Sequence, residues 1–469
     1  MDKVKRYALY LLVIAGCGGL LFDFGGTIIG PAIPYFESLK LFTTAEMSHL
    51  SSAVVMSAAI ACLAAGWLTE KFGRKTMMLV SAAIAALACL PICLTDGNYW
   101  AFYCGRAMQG IAAGLIGVVV PMYLAECLDA KSRGKGAGMF QLLDFVGITF
   151  CSLVGLAVVH VIGASDAPDM TPARQMLAWK VVFWSSAVPA ILFFLGALGL
   201  KESPRWLYKR GRREEALEAL AANNGLEMAK EILAEMIAAD EAEAKEKSAI
   251  AAAAKGDTLL QRKYVLPFLI SMAVLICNQA IGFNAIQYFS IGMFKSAGLT
   301  HAAASTANVL VWLVPIPITA IACCLVDRAG RKILLKIGTA GMVVSFVGAG
   351  FVFLKVAEGW TGGGWLVVAA IALFVASFSI GPGVVVWLAL SELMPARIRA
   401  NGMAICLFVN QMVAFAIADA FLQWQEKCGY ANVLFWLAGF AFLYFLTAAF
   451  ILPETKGKTL EEIEAFFKK

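Results

Sequence analysis

Apolar residues run through the chain in long blocks, and polar residues collect between the blocks instead of alternating with them. Each block is roughly 20 residues long, enough for a helix rising about 1.5 Å per residue to cross about 30 Å of hydrocarbon. In lipid an open segment must satisfy its own backbone hydrogen bonds, so each block predicts a membrane-spanning helix. Twelve are expected. The first six fall at 7–30, 50–69, 77–95, 100–127, 136–160 and 176–200. The second six fall at 264–290, 305–326, 333–354, 364–391, 402–423 and 430–452.

The polar stretches set topology. Alternate loops are basic: Lys71, Arg74 and Lys75; Lys131, Arg133 and Lys135; Lys209 to Arg213; Arg328, Arg331 and Lys332; Arg397 and Arg399. The loops between them hold only scattered cations such as Lys40, Arg174, Lys295, Lys355 and Lys427. Basic loops stay in the cytoplasm, and an even number of spans then places both termini there. The longest polar segment, about 201–263, carries charged amphipathic stretches and predicts short cytoplasmic helices. The expected organisation is a first bundle over 1–200, linker helices over 201–263, a second bundle over 264–452 and a cytoplasmic tail over 453–469.

Composition narrows the function classes. Of 469 residues 61% are hydrophobic and 15% charged, and the mean hydropathy is +0.78, which no soluble enzyme of this length matches. The apolar run from Tyr7 to Gly30 is too long for a cleavable signal and lacks a small-residue cleavage site. The 12 cysteines fall mostly inside apolar blocks, without CxxC pairs or cysteine–histidine clusters, so they read as small apolar residues. No metal site, cofactor or nucleic-acid partner is expected. His49, His160 and His301 lie near outer loops or span ends and take no assigned role. Gly110, Gly114 and Gly117 make a small-residue stripe that suits close helix packing better than binding.

The two halves repeat one another. Phe72-Gly73-Arg74-Lys75 follows the second span and Ala329-Gly330-Arg331-Lys332 the eighth. Glu126 precedes Arg133 after the fourth span as Glu392 precedes Arg399 after the tenth. Glu202-Ser203-Pro204 ends the sixth and Pro453-Glu454-Thr455 the twelfth. The three pairs share an offset of about 250–270 residues, as a duplication requires. All copies face one side, so the repeats are parallel about an axis along the membrane normal.

These residues resemble the sugar porter family of the major facilitator superfamily, over nearly the whole chain. The resemblance is carried by Arg106-Ala-Met-Gln-Gly110 with Gly114, Pro121-Met-Tyr123-Leu-Ala-Glu126, and Gln141-Leu142 with Gly147. It continues in Glu202-Ser203-Pro204-Arg205-Trp206, Gln279-Ala-Ile-Gly282-Phe-Asn284 and Asp327-Arg-Ala-Gly-Arg331. Trp387 with Ser391-Glu392, and Pro453-Glu454-Thr455-Lys456-Gly457, complete it. The resemblance implies an all-α membrane protein with the major facilitator fold: twelve transmembrane helices in two six-helix bundles that rock about a central site.

Three groups of residues are candidates for function. Cytoplasmic charges form the first: Glu126, Arg133, Glu202 and Arg205 with Arg74 nearby, and Glu392, Arg399, Glu454 and Arg331. They either gate the two-state equilibrium or merely anchor helix ends. The second group is polar side chains inside spans, because sugar hydroxyls need both donors and acceptors. On the seventh span Asn278, Gln279, Asn284 and Tyr288 fit, and Gly282 could break the helix and turn Asn278 and Asn284 toward one cavity. The family's sugar-binding amides fall on Gln141, Asn278, Gln279 and Asn284, its tryptophan on Trp387 and its eleventh-span amide on Asn410. The alternative is that these amides only bond neighbouring helices. Pro315 stands where the family usually carries an asparagine, and Gly381-Pro382-Gly383 lies farther from Trp387 than the family's Gly-Pro.

Ionisable residues within spans form the third group, since they are costly in lipid and usually functional. Asp23 and Arg106 each sit about seven positions from the outer end of their helices, roughly 10 Å deep. In proton-coupled members of the family an aspartate in the first span pairs with this arginine. Asp23 falls one or two positions before that aspartate, which rotates it by at least about 100° on a helix. Asp144, in the fifth span near Gln141, is a second acid that could carry the proton, bind substrate or bond Arg106.

The reading is a secondary active transporter, not an enzyme: a monosaccharide carrier working by alternating access with a proton as coupling ion. Its partners are a small sugar and the lipid bilayer, and a monomer in the plasma membrane is expected. A passive sugar uniporter, a carrier of another polyol such as inositol, and a transporter-like nutrient sensor remain as alternatives.

Overall fold

The computed structural model describes residues 3–127, 130–238, 261–395, 398–454, 456 and 467. Among these residues all regular structure is helical. Span 1 comprises Lys3–Thr27 and Ile29–Leu39, span 2 Thr44–Phe72, and span 3 Arg74–Leu87 with Cys89–Cys93. Span 4 is Tyr99–Cys127, span 5 Ala130–Val161, and span 6 Pro172–Trp184 with Ala187–Leu198. Short helices follow at Pro204–Lys209, Arg213–Asn224 and 226–238. Span 7 is Arg262–Ala280 with Phe283–Ser296, span 8 His301–Leu313 with Pro315–Ala329, and span 9 Arg331–Ala357. Span 10 is Gly364–Ile380 with Pro382–Leu393.

The last helix, Arg399–Leu446, holds 48 residues, about 72 Å of helix and more than twice the hydrocarbon thickness. Gly429, at φ 76° and ψ 160°, divides it into spans 11 and 12. A side chain would be strained at that φ, so the residue that joins the two spans is the one without a Cβ.

Several span limits differ from the sequence expectation, and those of spans 1 and 2 have local reasons. Span 1 runs to Leu39 instead of Gly30, because Pro31 lies in the first turn of a restarted helix. There its missing N–H costs nothing. Span 2 starts at Thr44 instead of residue 50, because Thr43 and Glu46 form a capping box. Glu46 N donates to Thr43 Oγ1 at 3.2 Å and Thr43 N donates to Glu46 Oε2 at 2.8 Å, which satisfies two otherwise unpaired helix-end donors.

Large apolar side chains cover the outside: Trp67, Trp100, Trp436 and Phe450 are 63–80% exposed. In water that surface would drive aggregation; against lipid it is the solvated face. Inside, Gly110 and Gly114 let span 4 close onto span 2. A Cβ on Gly110 would overlap Val54 O and Ser57 Oγ, and one on Gly114 would overlap Ala58 O. The glycine stripe is therefore a packing surface.

Spans 1–6 and spans 7–12 meet along three seams: span 1 with span 7, span 2 with span 11, and span 5 with span 8.

Candidate functional site

Hydrogen bonds across these seams lie toward the end opposite the chain termini. Between spans 1 and 7, Gln287 Nε2 donates to Thr27 Oγ1 at 2.6 Å. Between spans 2 and 11, His49 Nδ1 and Ser52 Oγ both bond Asp419 Oδ1, at 2.7 and 2.8 Å. Between spans 5 and 8, Thr149 Oγ1 donates to Trp312 O at 2.6 Å and Asn308 Nδ2 donates to Ser152 Oγ at 3.0 Å. Asn308 Oδ1 also accepts from Ser290 Oγ and Trp312 Nε1, so one buried amide joins three spans. Farther out, Ser165 N donates to His301 Nδ1 and His301 N to Asp166 Oδ2, at 2.9 and 2.8 Å. These bonds hold the two halves together at one end.

At the end bearing the termini, the charged side chains instead bond within each half. Arg74 makes a bidentate pair with Glu126, Nε to Oε2 at 2.9 Å and Nη2 to Oε1 at 2.8 Å. Arg74 and Glu126 are only 2% and 9% exposed, so the pair works in a low-dielectric setting. Sequence reasoning sets Arg74 beside the cluster; the structure puts it at the centre. Glu202 accepts from the backbone N–H of Arg74 at 2.9 Å and of Lys75 at 3.1 Å. The second half repeats this. Glu454 accepts from the backbone N–H of Arg331 at 3.2 Å and of Lys332 at 3.1 Å, and Arg331 Nη2 bonds Glu392 at 3.0 Å. In both copies a carboxylate caps the N-terminus of a helix that starts after a positive-φ glycine, Gly73 at 93° or Gly330 at 91°. Arg205 is exposed. The side chains of Arg133 and Arg399 lie outside the described residues.

Arg106 is fully buried and spends its donors mainly on backbone oxygens. Nε reaches Leu50 O at 3.0 Å, Nη1 reaches Gly25 O at 2.5 Å and Gln109 Oε1 at 2.7 Å, and Nη2 reaches Gly26 O at 3.0 Å. The guanidinium thus ties spans 1, 2 and 4 together. It forms no ion pair with Asp23, although both residues are described. Asp23 lies just before the carbonyls Arg106 holds, and its side chain turns toward Gln287 of span 7. Asp23 is half-buried, and its backbone oxygen accepts from Thr27 Oγ1 at 2.8 Å. Asp144 is buried in span 5, 6% exposed.

Span 7 breaks at Gly282, which takes a left-handed conformation with φ 75°. The break separates the candidate amides. Asn278 is buried and accepts from Tyr444 OH of span 12 at 3.5 Å, so it faces its own half. Asn410 is also buried, donating to Leu275 O at 2.9 Å and accepting from Gln279 Nε2 at 3.4 Å. Gln279 and Asn284 keep part of their surface open. Tyr288 is buried with its hydroxyl against Gly26; a Cβ there would lie 3.3 Å from it. The side chains of Gln141 and Trp387 lie outside the described residues. Span 8 is interrupted before Pro315, and span 10 at Gly381.

Sequence reasoning passes over Gln287, Asn308, His49 and Asp419. Gln287 has a usable signal: it follows Asn284 by three positions and so shares its helix face. The other three are polar residues in or beside apolar blocks whose partners in the opposite half lie more than 150 residues away. No local pattern reveals such pairs.

The profile of the family described as "Sugar (and other) transporter" matches residues 11–467. An arabinose-proton symporter of Bacillus subtilis (strain 168) is 28% identical over 465 residues, covering 99% of this chain and 96% of the relative. Plastidic glucose transporter 4 of Arabidopsis thaliana is 29% identical over 470 residues, covering 98% and 81%. The solved inward-open conformation of the xylose transporter XylE from E. coli superposes with a TM-score of 0.81 at 22% identity, covering 98% of this chain and 100% of that one. That likeness establishes the fold.

Proposed function

The chain belongs to the sugar (and other) transporter family, and from that premise we propose that it is a proton-coupled monosaccharide carrier working by alternating access. It is a multi-pass membrane protein; the alternation of basic loops supports cytoplasmic termini, and the working unit is a single copy in the plasma membrane. The end carrying the cross-half bonds is then the outer face. The conformation is closed outside, and the return to an outward-open state breaks those bonds while each half keeps its own Arg–Glu cluster.

The observation that carries proton coupling is Asp23, an acid at the seam between the halves with no basic partner across the seam among the described residues. An uncharged sugar does not need a carboxylate there, whereas a proton carrier does. Gln279, Asn284 and Tyr288 supply sugar contacts, and the family's pattern assigns the same role to Gln141 and Trp387. Asn410 and Asn278 serve the site indirectly, Asn410 by orienting the Gln279 amide. The arabinose-proton symporter among the relatives supports this coupling. The unpaired geometry of Asp23 and Arg106 favours a second reading, passive uniport.

Proteoliposomes decide between them. Symport predicts that sugar entering the vesicles alkalinises the outside, and that Asp23→Asn abolishes accumulation against a gradient while sparing sugar exchange. Sugar flux with no proton movement in the wild type refutes symport. Full accumulation by the Asp23→Asn variant moves the proton to Asp144.

A further inference from the structure

We propose that His49 and Asp419 form a proton-sensitive latch that holds the two halves closed at the outer face. The proposal rests on the alternating-access reading and adds a control to it. His49 belongs to span 2 in the first half and Asp419 to span 11 in the second. Their 2.7 Å contact cannot survive separation of the halves. The carboxylate only accepts, so His49 Nδ1 carries the hydrogen. Ser52 Oγ donates to the same oxygen at 2.8 Å and fixes the carboxylate's orientation.

The chemistry makes this contact responsive to external acid. Imidazoles gain charge between about pH 8 and pH 5. A neutral imidazole donates one ordinary hydrogen bond; a protonated one donates a charge-assisted bond to an anion, which is stronger. His49 is 45% exposed and Asp419 23%, so protons reach the pair from outside. The other titratable groups beside it are Glu46, on span 2 and bonded to Thr43, and Tyr99 at the start of span 4, which lies within the field of both Glu46 and Asp419. None of these neighbours is a cation that would compete with the imidazole for Asp419. Acidification outside therefore tightens the latch and biases the carrier toward its inward-open state. His301 acts differently: its Nδ1 accepts from Ser165 N, so protonation there would remove a bond.

The test is hydrogen–deuterium exchange of the full chain in lipid nanodiscs, at pH about 5.5 and about 8, corrected for intrinsic exchange. The reported segments are the outer ends of spans 2 and 11. For an exposed ion pair, the expected wild-type response is roughly 1.5- to 5-fold less opening at acid pH. His49→Gln and Asp419→Asn should lose that response. His49→Lys, a permanent cation, should stay protected at both pH values. Unchanged exchange in span 9 serves as the folding control. Retention of the wild-type response in both the His49→Gln and the Asp419→Asn variants overturns the latch. Sugar flux in vesicles is measured separately: absence of flux in the wild type refutes the functional reading, while exchange still decides the latch.

Discussion

A double-mutant cycle on Asp23 and Arg106 separates a carbonyl clamp from an ion pair. Arg106 makes four hydrogen bonds, three of them to backbone oxygens of spans 1 and 2. Lysine keeps the charge but offers three donors from one point, so Arg106→Lys should lose one or two bonds to buried acceptors. At about 1–3 kcal/mol for each orphaned acceptor, the cost is about 1–6 kcal/mol. Asp23→Asn preserves shape at a half-buried site and should change stability by less than about 1 kcal/mol. Because Arg106 holds the carbonyls of Gly25 and Gly26 and not the carboxylate, the two costs should add. The expected coupling is below about 0.5 kcal/mol. Had the two residues formed a buried ion pair, Asp23→Asn alone would strand the guanidinium at about 3–5 kcal/mol, against less than about 1 kcal/mol for the clamp. Equilibrium unfolding in mixed micelles, titrated with a denaturing detergent, measures all four proteins. A coupling above about 1.5 kcal/mol, well outside the range for non-interacting sites, refutes the clamp.

Gly110→Ala should lower stability by about 1–3 kcal/mol, because its Cβ meets Val54 O and Ser57 Oγ on a helix that cannot yield locally. A thermal midpoint equal to wild type would contradict the packing role of the glycine stripe. Gln287→Met should remove the bond to Thr27 and raise opening at residues 24–36 by roughly 2- to 10-fold; unchanged exchange there would exclude Gln287 from the outer closure.

Much of this architecture is legible in the chain. Twelve apolar blocks and the repeated Gly-Arg-Lys and Glu positions are local patterns, and each has a direct counterpart in the helices and their caps. The capping box at Thr43–Glu46 is equally readable and marks the start of span 2. The direction of a polar side chain within a span is not readable. Asn278 and Asn284 sit on either side of Gly282, and the left-handed turn there decides which faces span 12 and which stays open. Helical arithmetic fails at such a break, because the phase on its far side depends on φ and ψ at one residue. Arg106 shows a second limit. A buried guanidinium calls for acceptors, and a sequence advertises carboxylates while hiding the backbone oxygens of a neighbouring helix.

The seams between the halves hold a further consequence. A shift of six spans carries span 2 onto span 8 and span 5 onto span 11, so the contact of span 2 with span 11 and that of span 5 with span 8 are the same junction occurring twice. One copy is built from His49, Ser52 and Asp419, the other from Asn308, Ser152, Thr149 and Trp312. Duplication supplied a matched pair of hinges, and divergence then gave ionisable groups to one and neutral amides and hydroxyls to the other. External acidity acts differently on the two: it tightens the His49–Asp419 copy, whereas at the outer rim of the other it removes the bond that Ser165 N gives His301 Nδ1. The bonds of Asn308, Ser152, Thr149 and Trp312 involve no titratable group, so they form the pivot against which the His49–Asp419 pair tightens.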